Sequence, residues 1–186
     1  LVVAGVSWRI LMPDLAAAIG GTAPQRAGTS LRRWARGLLE HVPARRTELS
    51  LWRRILAPAG RKRIALGDLD PSRHTMAETA TVGVEIPAEI TDALLTTVPE
   101  RFHAGVEDVL LAALALAAQR VCGDGALAVD LEGHGREEQA VPGADLSRTV
   151  GWFTTLYPVR LDVGGIDLAD AYAAGPSAGD ALKRVK

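Results

Sequence analysis

Between Ala104 and Val121 the apolar residues are nearly continuous, D-V-L-L-A-A-L-A-L-A-A at the centre. That spacing predicts a helix buried on most of its sides. Elsewhere the apolar positions recur every three or four residues. Leu31, Trp34, Leu38 and Val42 share one helical face, with Thr29 or Ser30 as cap, Arg32, Arg33 and Arg36 opposite, and Pro43 as the stop. Leu49, Trp52, Ile55 and Leu56 start a third stripe, which places Trp34 and Trp52 in the core. Before these, Leu1 to Val3 reads as the end of a buried strand. Ser7 is then placed to cap a helix from Trp8 to about Ile19, with Pro13 early in it.

The second half switches period. Alternation over Thr79 to Ile86 predicts a strand, and Pro87 opens a helix to about Val98. Ala126 to Leu131 and T-L-Y-P-V-R-L, within Gly151 to Leu161, predict two more strands. Asp167 starts a last helix, interrupted at Gly175-Pro176. The polar, irregular segment Arg61 to Ala77 is the expected linker. No internal repeat or low-complexity tract breaks the pattern.

Composition narrows the classes. The 186 residues are 48% hydrophobic with a net charge of -1, which allows a sizeable core and gives no basic excess for nucleic acid. A single cysteine, Cys122, excludes a disulfide framework within the chain and fits a reducing, cytoplasmic compartment. No apolar run approaches the roughly 20 residues of a membrane span. His41, His74 and His103 have no carboxylate or cysteine partner at metal-ligand spacing, so no metal site is expected. No glycine loop has the spacing of a phosphate cradle. The chain opens inside an apolar segment without methionine and closes on K-R-V-K, which suggests part of something longer.

The candidate chemistry lies in L-E-G-H-G-R-E-E, Leu131 to Glu138. A carboxylate, an imidazole and a guanidinium around two glycines suit proton transfer, and suit a polar turn equally. In an extended stretch His134 shares the face of Glu132. It is read as orienting Glu132 or the loop more readily than as a second base. Arg136, Glu137 and Glu138 read as loop-fixing ion pairs or a solvated edge.

Two strings carry a family resemblance. E-G-H-G-R-E and V-G-W-F-T-T-L-Y-P-V resemble consecutive signature motifs of the epimerization domains of nonribosomal peptide synthetases. V-S-W-R-I-L is similar to the segment following that family's H-H-x-x-x-D-G motif, and A-G-V-E-D-V-L-L-A-A-L to its buried helix. The order and spacing of the motifs hold over essentially the whole chain. The resemblance implies an α/β fold, a partial chloramphenicol-acetyltransferase-like two-lobe sandwich with an active-site tunnel between lobes. Residues 1–77 would be the C-terminal part of the first lobe plus linker, and 78–186 the N-terminal part of the second.

The implied reaction inverts the α-carbon of an aminoacyl or peptidyl thioester by two-base deprotonation and reprotonation. A phosphopantetheine arm on a peptidyl carrier protein would hold that thioester, so no cofactor is bound by the chain itself. Carrier protein and neighbouring synthetase modules are the implied partners. Glu132 would be one of the two acid–base groups, its pKa raised by desolvation in the tunnel. The bland alternative pairs Glu132 with a nearby cation. Gly5, Ser7, His134, Arg136 and Arg160 would support the site. Trp152, Phe153, Thr154, Thr155 and Tyr157 would wall the tunnel, or plug the core. The arginine-rich faces, Arg32, Arg33 and Arg36 with Arg45, Arg46, Arg53 and Arg54, would meet an acidic carrier or simply be solvated.

The chain departs from the motif in one place. Aligned on G-V-S-W, it carries Ala4 where the family has the motif aspartate, and the two histidines would precede Leu1. Arg160 is the expected partner of that aspartate and would be left unpaired, at a cost on the order of 3–5 kcal/mol if buried. Three readings stay open: part of an epimerase, a condensation domain that forms peptide bonds, and a remnant that only docks a carrier protein. Exposed apolar faces and marginal stability are expected of the chain alone.

Overall fold

The computed structural model describes residues 3–57, 70–123 and 125–186. Helix α1 spans Gly5–Ile19, three residues earlier than the expected start at Trp8. Ala4, not Ser7, occupies the N-cap position with extended backbone. Its carbonyl accepts from the Ser7 amide at 2.9 Å, while its own N–H donates to the Gly151 carbonyl at 3.1 Å. The Ser7 amide that a capping side chain would take is thus met by the Ala4 carbonyl, and the tertiary contact ties the cap residue to Gly151. With the earlier start Pro13 falls inside the helix rather than at its opening, where its missing N–H removes one backbone rung.

Helix α2, Leu31–His41, begins as expected, with the Ser30 Oγ accepting from the Arg33 amide at 3.2 Å. Trp34 is buried on its inner face. Pro43 does not end the ordered chain. It opens a 3₁₀ segment, Val42–Glu48, that runs directly into helix α3, Leu49–Ile55, because proline at a helical start gives up an N–H that has no partner there. Trp52 is only half-buried, and its indole N–H donates to Glu48 at 3.3 Å.

The strand expected over Thr79 to Ile86 is not formed. Its alternating apolar residues, Val82, Val84 and Ile86, are exposed, and no strand pairs with the segment among the described residues. Alternation without a neighbour to complete the ladder leaves an extended coil. Of the expected linker, residues 61–69 lie outside the described residues, as do Leu1 and Val2. Pro87 holds the N-cap of helix α4, Ala88–Leu95, and the helix divides at Thr96 before α5, Thr97–Phe102. Helix α6, Val106–Cys122, is where the apolar run predicts it. It buries one face, Ala112, Ala115, Ala118 and Gln119, and leaves Leu110, Leu114 and Val121 exposed, so it is not enclosed on most sides.

Strands β1, Leu127–Gly133, and β2, Thr155–Leu161, are neighbours in a two-stranded sheet. Gly133 lies against Thr155 and Tyr157, and Leu127 clusters with Leu161, so the strands run antiparallel. Helices α7, Leu168–Tyr172, and α8, Pro176–Val185, complete the chain, with Asp167 capping α7 and Pro176 at the first turn of α8.

Packing divides the chain into two units, neither continuous in sequence. One comprises Leu1–Leu56 and Asp130–Pro158, the other Ala57–Val129 and Val159–Lys186. The division passes through both strands. In the first unit Trp34, Val141, Leu146 and Phe153 form the core. In the second, Ala115, Ala118, Leu127, Leu161, Val163, Ile166, Ala171 and Ala181 do.

Candidate functional site

Strand β1 sets the two faces of the candidate site. Leu127 is buried and Val129, Leu131 and Gly133 half-buried, while Asp130 and Glu132 point outward and are exposed. Period-two alternation therefore puts Glu132 on the open face, with exposed His134 following in register. The desolvation expected of Glu132 is not supplied by the described residues of this chain. Nor does any described cation pair with it, so the bland alternative of an ion pair is absent among them.

Beyond the strand the chain turns through a loop built on two glycines. At Gly133 the neighbouring Thr155 hydroxyl and Tyr157 ring stand 3.2 and 3.3 Å from where a Cβ would be. Gly135 has φ +68, and a Cβ there would overlap the Phe153 carbonyl. Only glycine fits that position without strain. His134 folds back on the same turn: its Nδ1 accepts from the Arg136 amide at 3.0 Å, and its Nε2 lies 3.3 Å from a Glu137 carboxylate oxygen. The imidazole thus orients the loop rather than Glu132.

Arg136 is the hub. One guanidinium nitrogen donates to the Leu146 carbonyl at 2.8 Å and another to the Ser7 hydroxyl at 3.4 Å. Its plane lies over the Phe153 ring, 4.2 Å from the centroid, a cation–π contact. Burial pushes its pKa down from the usual arginine value, with no carboxylate opposing that push. The expected ion pair at Arg136 is therefore replaced by neutral acceptors and an aromatic face. Glu138 also fixes the loop, accepting from the Leu146 amide.

Ser7 is fully buried. Its hydroxyl donates to the Gly151 carbonyl at 2.9 Å and accepts from the Gly151 amide at 3.1 Å. Gly151 is the glycine of V-G-W-F, so the first turn of α1 and the second motif are tied through one side chain. Gly5 is exposed with nothing packed where a side chain would go. Nearby, Arg148 pairs with Asp14, and Thr149 donates to the Thr29 carbonyl at 2.6 Å. These long-range partners escape a reading of the sequence. The only signal for them is a run of hydroxyl and charged residues, Asp145 to Thr149, in a segment too long to be a simple turn.

Among the tunnel candidates, Phe153 is core, Thr154 half-buried, and Trp152, Thr155 and Tyr157 exposed. Arg160 is not left unpaired by Ala4: it donates to Asp162 at 3.3 Å, two residues on along the chain. The penalty expected for an orphaned buried guanidinium does not arise. Cys122 is half-buried at the end of α6. His41 contacts the Gly37 carbonyl at 2.7 Å, His74 accepts from the Asp70 amide, and His103 ends α5 in left-handed backbone. No group of His, Cys, Asp or Glu among the described residues could hold a metal, and no described helix is long and apolar enough to cross a membrane.

Three comparisons place this arrangement. The family model described as condensation domain matches residues 1–178. Chondramide synthase cmdD of Chondromyces crocatus is 42% identical over 189 residues, covering 94% of this chain and 5% of that protein. Bacitracin synthase 1 of Bacillus licheniformis is 37% identical over 173 residues, covering 88% of this chain and 3% of that protein. Among solved structures, the epimerization domain from the third module of tyrocidine synthetase B superposes with a TM-score of 0.70 at 28% identity, over 100% of this chain and 41% of that one. The chain thus spans a small part of the curated relatives it matches, and its fold is the partial α/β fold of condensation and epimerization domains. It belongs to the condensation-domain family of nonribosomal peptide synthetases.

Proposed function

We propose that the chain is part of an epimerization domain that inverts the α-carbon of an aminoacyl or peptidyl thioester carried by a peptidyl carrier protein. The observation that carries the reading is the loop from Glu132 to Arg136. Its two glycines, its histidine and its arginine all serve to hold one conformation, and Glu132 is the one ionisable side chain of that described string left without a structural duty. A likeness to an epimerization domain over the whole chain supports it.

In the reaction, a base on one face takes the α-hydrogen as a proton. The electron pair delocalises onto the thioester oxygen, and an acid on the other face returns a proton to the carbon. Glu132 would be one member of that pair, and a histidine of the family's H-H motif the other. Each positioned acid or base is worth ~10²–10⁴-fold. Glu132 would act under a cover that excludes water from the reaction, which the remainder of a whole domain would supply. The phosphopantetheine arm would come with the carrier protein. On this reading residues 1–77 belong to the first lobe and 78–186 to the second, and Trp152, Thr154, Thr155 and Tyr157 line the substrate path.

The family match favours a second reading, peptide-bond formation, in which the same framework joins two carrier-bound acyl groups. The two separate in one assay. A complete domain containing this sequence is given a carrier-bound aminoacyl thioester in deuterated water. Epimerization incorporates deuterium at the α-carbon, and Glu132→Gln lowers the rate by about 10²-fold or more. Undiminished exchange in Glu132→Gln would remove that residue from the mechanism. Dipeptide formation without exchange would replace epimerization by condensation. Neither product from a folded domain would leave the carrier-docking remnant.

A further inference from the structure

A serine in the first turn of a helix ordinarily bonds to nearby backbone or to water. The Ser7 side chain, in the first turn of α1, does neither: it is wholly buried, and its hydroxyl partners lie 129 and 144 residues along the chain. The hydroxyl donates to the Gly151 carbonyl at 2.9 Å, and accepts from the Gly151 amide at 3.1 Å and from Arg136 at 3.4 Å. A hydroxyl offers one O–H and two lone pairs, so this one is saturated and has nothing left for a substrate. Its duty is geometric.

The contacts join two segments that chain order keeps apart. On one side is the entry to α1. The Ala4 amide also donates to the Gly151 carbonyl, at 3.1 Å, so Gly151 holds that entry through both Ala4 and Ser7. On the other side is the loop that follows Glu132. His134 and Glu138 tie this loop to itself and to the Leu146 amide, which leaves its place relative to α1 open. Among the described residues the bond from Arg136 to Ser7 is the one hydrogen bond between that loop and α1. The same guanidinium is braced by the Leu146 carbonyl at 2.8 Å and by the Phe153 ring, so Ser7 meets a donor that is already held.

We propose that Ser7 is a positioning residue for the acid–base chemistry. It touches no substrate; it fixes where Glu132 stands relative to the chain entering α1. The inference rests on the epimerase reading, which puts the second acid–base group on the chain leading into α1. Inversion needs both groups to reach one α-carbon, from opposite faces, at hydrogen-bond range. A shift of about 1 Å in one of them is worth roughly 10²-fold in rate. Misregistration also has a signature of its own. A proton removed by one group can be replaced from the same face, which exchanges the α-hydrogen and keeps the configuration. Inversion, which needs the opposite group as well, suffers more.

The test uses a complete domain containing this sequence, an L-aminoacyl thioester on its carrier protein, and deuterated water. Initial rates of α-deuteration and of inversion are measured separately. Ser7→Ala should lower kcat for inversion at least about 10-fold, leave KM nearly unchanged, and lower the ratio of inversion to α-deuteration several-fold. Thr149→Val is the structural control. The Thr149 hydroxyl is likewise in a buried residue, but it donates to the Thr29 carbonyl and not to the loop after Glu132. This variant should lose comparable stability and keep the ratio. Arg136→Lys cuts the same link from its other end and loses the planar fork, so it should lower the ratio too. The double variant, Ser7→Ala with Arg136→Lys, should be no slower than the worse single one, because both remove one coupling. If Ser7→Ala does not fold, the ratio in Arg136→Lys decides alone. An unchanged ratio, an equal fall in Thr149→Val, or additive losses in the double variant would each overturn the positioning role and leave the epimerase standing. A wild-type domain that deuterates nothing would remove the epimerase reading and this inference with it.

Discussion

The two packing units are held by different means. The second rests on aliphatic packing: Leu161 and Val163 are almost wholly buried and Ala181 completely so, against the alanine face of α6. The first has a core of four side chains, Trp34, Val141, Leu146 and Phe153. Around it runs a set of specific polar contacts: Ser7 to Gly151, Arg136 to Leu146 and Ser7, Arg148 to Asp14, Thr149 to Thr29. Apolar burial tolerates exchange among similar shapes. A polar framework does not, because losing one member leaves its buried partner unsatisfied. The unit that carries the candidate chemistry is thus the one whose geometry depends on single residues.

Substitution at Gly135 tests that contrast most severely. Gly135→Ala would need left-handed backbone and would drive its Cβ into the Phe153 carbonyl. A loss above about 4 kcal/mol is expected, in the exceptional range for single changes. Hydrogen exchange resolved by residue should show the Ala4 and Gly151 amides deprotected, while α6 and α8 keep most of their protection. Uniform loss across both units would erase the distinction between them.

This contrast also explains what is legible in the chain. Helices α6, α7 and α8 and both strands can be read because local periodicity and caps such as Asp167 agree with the packing they enter. Gly135 reads as a tight spot, though its partner Phe153 does not. Ser7 looks like a cap because its true partner, Gly151, lies 144 residues away. Among the described residues Arg160 pairs with Asp162, close by in the chain. Thr79 to Ile86 has the alternation of a strand, but alternation states only which face could be buried, not whether a neighbouring strand exists. The strand expected to end at Leu131 runs on to Gly133 and takes in Glu132, whereas burial is a property of whatever covers that face.

In the second unit, Leu161→Ala should behave in the opposite way to Gly135→Ala. Truncating a leucine that is 1% exposed costs ~2–5 kcal/mol, depending on how far the cavity collapses. The exchange pattern should invert, with α6 and α8 losing protection. Leu161→Met, of similar volume, should cost less than about 1.5 kcal/mol. A methionine as damaging as alanine would mean that this core is as particular as the polar framework.

Arg136 sharpens the comparison from the side of the framework. Arg136→Gln removes a charged donor from the Leu146 carbonyl and the Ser7 hydroxyl and a cation from the Phe153 ring. A loss of about 2 kcal/mol is expected, the range for hydrogen bonds to a charged group. Arg136→Lys keeps the charge but cannot span both acceptors with a planar fork, so it should recover only part of the loss. Chemical denaturation of the three proteins would rank them. Full recovery by lysine would show that charge alone, not the two-point grip, holds the loop.

The smallest effect expected is a pH dependence confined to the second unit. Asp170 accepts from the Ser177 amide at 2.8 Å across the turn joining α7 to α8, and this backbone hydrogen bond, followed by the Ser177 side chain, lowers its pKa. Gly175 makes room for the carboxylate, since a Cβ there would overlap it. A carboxyl whose folded pKa is depressed adds stability that is present above its unfolded value, near ~3.9. That contribution fades as pH falls through the lower folded value. Carboxyl-carbon NMR should therefore find Asp170 titrating below the ordinary aspartate range, and the Ser177 amide should exchange faster once it protonates. Asp170→Asn should remove this acid-side slope and leave the neutral-pH exchange of the first unit unchanged. An ordinary titration of Asp170 would mean that the turn is set by Gly175 and Pro176 alone, making the second unit still less dependent on polar contacts than its core suggests.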